Sequence, residues 1–116
     1  MVVGKSDWKF FYDEDGFIIA ENKQMEDDVC HAISDFMDDL RNLGSVGRFR
    51  VEWTAIKHHY PEYPIGFAKN ATAVTLTDGG MVEIKSYYEQ FDTVKMPEVD
   101  FSYALDAFEE FLRGQE

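Results

Sequence analysis

Between positions 22 and 44 the apolar residues Met25, Val29, Ile33, Phe36, Leu40 and Leu43 step by four, four, three, four and three. That spacing lays them along one stripe of an α-helix. Asn22 suits the N-cap and Gly44 the left-handed position beyond the C-terminus, so the pattern predicts one helix over 22–44. Its opposite side places Asp28, Asp35 and Asp39 on one line and Asp27, His31 and Asp38 on the next.

Before this helix, Trp8, Phe10 and Tyr12 alternate with polar residues, and Phe17 to Ala20 follow an Asp/Gly-rich break, which predicts a β-hairpin. Two registers are open. A four-residue loop pairs Tyr12 with Phe17 and Phe10 with Ile19, whereas a two-residue Asp15-Gly16 loop pairs Tyr12 with Ile19. After Gly44, Phe49, Val51, Trp53 and Ala55 alternate with Arg48, Arg50, Glu52 and Thr54, which predicts a strand over 48–55. The Pro/Tyr-rich run 57–64 then breaks it into a loop, and Ile65-Gly66-Phe67 predicts a short strand.

The next hairpin is fixed by parity. A two-residue loop in 73–85 would set apolar residues opposite polar ones. A three-residue loop, Asp78-Gly79-Gly80, sets Leu76 against Val82, Val74 against Ile84 and Thr75 against Glu83, with Gly80 left-handed. Residues 86–91 extend this strand, and 93–97 form a connection. Phe101, Ala104, Leu105, Phe108, Phe111 and Leu112 then mark a C-terminal helix, with Asp100 as N-cap and Gly114 as stop. Consecutive strands without helical crossovers imply α+β: an antiparallel sheet of five to six strands, with a long helix in the N-terminal half and a C-terminal helix packed on it. With 116 residues and no linker or repeat, the chain reads as a single domain over 1–116.

Charge changes this picture most. There are 23 acids against 11 Lys and Arg, a net charge of −12. Residues 1–40 hold eleven acids and three bases, residues 41–69 two and five, and residues 70–116 ten and three, so a basic middle separates two acidic ends. A surface of this sign repels nucleic acid and anionic membrane and attracts basic proteins. Arg48 and Arg50 are expected to pair with the chain's own acids. No apolar run is long enough to span a bilayer and no signal-peptide core opens the chain, so a cytoplasmic protein, monomeric by default, is expected. The lone Cys30 forms no internal disulfide.

Candidate chemistry is sparse. His58-His59 lacks further ligands at a familiar spacing, and Cys30 and His31, as helical neighbours, diverge by about 100°. Neither a dinucleotide fingerprint, a P-loop nor a nucleophile elbow is present. No catalytic residue, metal site or cofactor is therefore expected. The residues singled out for partner binding are Asp27, Asp28, Asp35, Asp38 and Asp39: gathering them on one side raises self-repulsion, and Asp38 and Asp39 lie at the helix's negative end.

In its size, acidity, abundant aromatics and α+β pattern the chain resembles bacterial immunity proteins of the contact-dependent or polymorphic toxin systems. The ending Tyr87-Tyr88-Glu89-Gln90-Phe91 through Met96-Pro97 into the helix from Phe101 to Leu112 carries the likeness most directly. The resemblance implies a stoichiometric, non-enzymatic inhibitor of a cognate basic toxin domain, often a nuclease. The alternative is a small ligand- or peptide-binding adaptor with an aromatic sheet face or groove that includes Trp53, Tyr60 and Tyr63.

Overall fold

The computed structural model describes residues 4–60, 62 and 66–115. Strands β1 (Lys9–Tyr12) and β2 (Ile18–Glu21) form a hairpin, followed by helices α1 (Asp27–Leu40) and α2 (Leu43–His59). Then come β3 (Phe67–Ala68), β4 (Thr72–Thr77), β5 (Met81–Ser86), β6 (Val94–Pro97) and helix α3 (Glu98–Arg113). Among the described residues the architecture is thus α+β, with three α-helices and six antiparallel strands. The strands are divided between a two-stranded sheet and a four-stranded sheet ordered β3-β4-β5-β6. No helix there is long and apolar enough to cross a membrane.

The stripe predicted for the first helix is buried: Val29, Ile33, Phe36 and Leu40 turn inward, joined by Ala32 and Met37. Its ends differ from expectation. Asn22 does not cap the helix, which begins after Glu26; its side-chain oxygen instead accepts from the Gln24 N–H in a turn. At the other end Arg41 adopts φ +68°, the helix stops, and Asn42 caps α2 by accepting from the Ser45 N–H. Gly44 therefore lies in the first turn of α2 and closes nothing.

The predicted strand over 48–55 is helical, and it is the largest correction to the sequence reading. Phe49 and Trp53 are buried, but Val51 is 73% exposed, so the alternation did not mark one face. Four residues separate Phe49 from Trp53, a spacing that also fits a helix, and Val46 three residues earlier completes the inward side. Lys57, His58 and His59 occupy the last turn, where positive charge suits the helix dipole.

In the first hairpin the register falls between the two alternatives: Tyr12 pairs with Ile18 and Phe10 with Ala20. The reason is Asp13, whose Oδ1 accepts from the N–H groups of Asp15 and Phe17, both at 2.9 Å. With Gly16 at φ +84° this makes a five-residue loop over 13–17 and leaves Phe17 outside the strand. The second hairpin has the predicted register: Leu76 opposes Val82, Val74 opposes Ile84 and Thr75 opposes Glu83. Gly80 has φ +73°, as its place in the three-residue loop requires.

Two later boundaries move. The chain leaves β5 at Ser86, so 87–91 is a loop and no continuing strand. The expected connection over 93–97 contains β6, whose Val94 and Met96 are buried opposite Ile84 and Val82. Helix α3 starts at Glu98 behind Pro97, two residues before the expected cap at Asp100. Of the short strand expected at 65–67, Phe67 belongs to β3, Gly66 lies outside it, and Ile65 is outside the described residues.

The core is an aromatic cluster closed by all three helices. Phe36 of α1 meets Phe49 of α2 at 5.1 Å between ring centroids and Phe101 of α3 at 5.7 Å, while Phe67 of β3 stands edge-on to Phe49 at 4.8 Å. Under the hairpin, Phe10 packs on Phe108 at 5.3 Å. Phe36 and Phe108 are both fully buried, so truncating either to Ala removes a whole ring from a filled space. Each substitution is expected to lower stability by about 3–5 kcal/mol in denaturant unfolding; an unchanged midpoint in either variant would contradict this packing.

Candidate functional site

The outer side of α1 carries the polar chemistry, and its residues divide by what they already hold. Ser34 and Asp38, one helical turn apart, face the edge of β2. The Ala20 N–H donates to Ser34 Oγ at 2.8 Å and the Ile18 N–H to Asp38 Oδ1 at 3.1 Å. Asp39 faces the other sheet and accepts three hydrogen bonds, from the N–H groups of Ala71 and Thr72 and from the Thr72 hydroxyl, at 3.0, 3.1 and 2.8 Å. Asp38 also takes the Arg41 guanidinium at 2.7 Å. Two of the five singled-out carboxylates therefore hold the fold together, whatever else they contact.

The other three face solvent more freely. Asp27 and Asp28 are exposed in the first turn of α1, where the dipole favours them, and among the described residues no Lys or Arg pairs with either. Asp35 lies between, with His31 Nε2 at 3.6 Å as its partner when the imidazole is protonated. Burial raises the Asp35 pKa; Asp38 and Asp39 push it the same way, and His31 opposes them.

Asp35 sits where two shallow clefts meet. One, of about 480 Å³, runs between α1 and the hairpin and is lined by Phe17, Ile19, Cys30, His31, Ser34 and Gln90 among others. The second, of about 410 Å³, continues past Asp38 and Asp39 to Asn70 and Tyr88. Phe17, Asp35 and Gln90 line both. Phe17 and Tyr88 are exposed by 53% and 67%, two large rings left in water at the rim of a carboxylate-lined trough.

Both rims are fixed by local hydrogen bonds. Asp13 ties the Phe17 N–H, and the Arg41 guanidinium reaches the Gly16 carbonyl at 3.3 Å. On the other side Ser86 Oγ accepts from the N–H groups of Tyr88 and Gln90 while Glu89 takes φ +56°. Arg41 and Glu89 are the two non-glycine residues with positive φ among those described, and both flank the trough. Such backbone costs energy and collects at working surfaces. Sequence reading missed Phe17, Tyr88 and Gln90 because nothing local marks a loop aromatic as facing a helix many residues away.

The remaining candidates are separated. Cys30 and His31 line the same cleft, but the thiol donates to the Asn22 carbonyl at 3.6 Å, and burial raises its pKa, keeping it protonated. His31 turns instead to Asp35 and packs on Phe91, with ring centroids 5.7 Å apart. His58 and His59 lie in α2, not in a loop, and no group of three potential ligands among the described residues is placed to hold a metal. Of the aromatics expected to form an adaptor's groove, Trp53 is 4% exposed, the Tyr60 hydroxyl donates to Asp78, and Tyr63 lies outside the described residues.

Arg50 makes the expected internal pairs, bonding Asp106 and Glu109 of α3 at 2.8 Å each. Burial works against both charges, but the mutual hydrogen bonds win, raising the arginine pKa and, with Arg113, holding the Glu109 carboxyl below its usual range. Arg48 instead donates to Ser45 Oγ. The chain matches no family model, no curated protein and no solved structure.

Two outcomes follow from the division of labour on α1. Replacing Asp39 by Ala strands the N–H groups of Ala71 and Thr72, and a loss of about 2–4 kcal/mol is expected; an unmoved unfolding transition would show that β4 is held by other means. Asp35→Asn should do the opposite. Because the folded-state pKa of Asp35 is raised, its charge opposes folding above that pKa and is neutral in effect below the unfolded value. The variant should therefore melt higher than the wild type at neutral pH. That gain should vanish as pH falls through the carboxyl's raised folded value towards its ordinary one, which a series of thermal melts will read.

Proposed function

We propose that this protein is a non-enzymatic inhibitor of the immunity type, which neutralises a cognate basic toxin domain by seating that domain's cationic surface on the acidic side of α1. One observation carries the reading: the chain spends its cations unevenly. Four of the five carboxylates of α3, Glu98, Asp106, Glu109 and Glu110, have Lys or Arg partners, supplied by Lys57, Arg50, Arg113 and Lys5. Of the five on α1 only Asp38 has one. Further acids in the hairpin loop, before α1 and in the loop after β5 also lack a described Lys or Arg partner, Glu14, Asp15, Glu21, Glu26, Glu89 and Asp92. Among the described residues α1 thus leaves four carboxylates without a Lys or Arg partner where α3 leaves one.

A nuclease is the toxin class that this surface suits best. Its substrate is a polyanion, so its active face carries Lys and Arg that release counterions on binding. A protein presenting carboxylates on a rigid helix competes for the same groups and is steered to them at long range. Inhibition of this kind needs occupancy and no turnover. The adaptor reading keeps one observation in its favour, a cleft of about 480 Å³, within the range of small-ligand sites.

The test is co-expression with the product of the neighbouring reading frame, followed by isolation of a one-to-one complex. Its association rate should fall steeply with added salt. In the double variant Asp27→Lys, Asp28→Lys, which leaves every described hydrogen bond between α1 and the sheets in place, association at low salt should slow by about tenfold. Unchanged kinetics would move the interface off this flank, and absence of any complex would remove the inhibitor reading.

A further inference from the structure

Resting on the inhibitor reading, we infer that the trough at Asp35 is a receptor for a single arginine side chain of the protein partner. Its guanidinium stacks on the exposed rings of Phe17 and Tyr88 and donates to the Asp35 carboxylate and the Gln90 side-chain oxygen.

The lining selects the occupant. Asp35, Asp38 and Asp39 repel an anion, and a neutral apolar group would strip water from the Asp35 carboxylate without replacing its hydrogen bonds. A cation with a flat, weakly hydrated body meets both demands. Guanidinium does so better than ammonium, because it stacks on an aromatic face while its edge forks onto a carboxylate.

The chain does not fill the site itself. Of its four arginines, Arg41 lines the second cleft, but its guanidinium is held on Asp38 and the Gly16 carbonyl; Arg48, Arg50 and Arg113 are engaged elsewhere, with Ser45, with the α3 carboxylates and with Glu109. His31 pairs with Asp35 only as a charged imidazolium, and at 3.6 Å its Nε2 makes no hydrogen bond to the carboxylate. The occupant must come from another molecule. Phe17 and Tyr88 contribute nothing to the buried core, yet they sit on loops held by Asp13, Arg41 and Ser86, so the recess is formed before anything enters it.

The probe is the peptide acetyl-Gly-Arg-Gly-amide, added to the ¹⁵N-labelled full chain at millimolar concentration and followed by amide chemical shifts. Saturable shifts at Phe17, Asp35 and Gln90 are expected. The matching citrulline peptide, equal in shape but uncharged, should produce none. Asp35→Asn should keep a folded spectrum and lose the response. Tyr88→Ala, at an exposed loop position, should weaken binding by about two- to fivefold.

An equal response to the citrulline peptide or to acetyl-Gly-Lys-Gly-amide, no response at all, or one that survives Asp35→Asn would overturn the assignment. The two readings fail separately. A selective arginine response without any captured partner upholds this site and removes the inhibitor role. A basic partner held equally well by wild type and Asp35→Asn upholds the role and overturns the site.

Discussion

Two small sheets that share no hydrogen bond among the described residues are joined here by the side chains of one helix. Helix α1 lies along the edge of β2 and offers Ser34 and Asp38 where a third strand would have offered carbonyls; on its other flank Asp39 gathers the N–H groups at the start of β4. Unpaired backbone donors at a buried edge are costly, and satisfying them fixes α1 in height and rotation against both sheets. Once α1 is set, Phe36 points into the space where Phe49, Phe67 and Phe101 converge. A radius of gyration of 13.4 Å is about that of one closed domain of this length.

The same helix creates an electrostatic problem that the fold solves only in part. Asp38 and Asp39 sit at its negative end, where a carboxylate is disfavoured, and the donors of Arg41, Ile18, Ala71 and Thr72 compensate them. Toward the N-terminus Asp27 and Asp28 have the favourable helix dipole but, among the described residues, no Lys or Arg partner. Surface pairs contribute little to stability, so the cations arrayed along α3 matter less for what they hold together than for where they leave charge uncovered. The flank that results joins a tightly braced acidic half to an open one, with Asp35 at the boundary.

Much of the fold was legible because a period constrains it. The hairpin joining β4 to β5 follows from parity alone, since any other loop would set Val74 and Leu76 against polar residues. The inward residues of α1 and α3 follow from spacing. What misled was degeneracy: Phe49 and Trp53 satisfy a strand and a helix equally, and the decisive Asn42 cap was hidden inside what looked like one continuous helix. The register of the first hairpin was set by Asp13 bonding its own loop. At the candidate site the sequence exposed the row of carboxylates but not which were committed, because the donors for Asp39 lie more than thirty residues away.

Arg41 ties these threads together. A side chain with a β-carbon at φ +68° carries a backbone penalty of order 1–3 kcal/mol, and glycine would relieve it at once. Yet the same arginine braces Asp38 and clasps the carbonyl of Gly16, the residue before Phe17. Glycine at this corner would thus exchange a backbone penalty for the loss of both bonds and leave a slack lip on the recess: ease of the chain and grip are set against each other at a single residue.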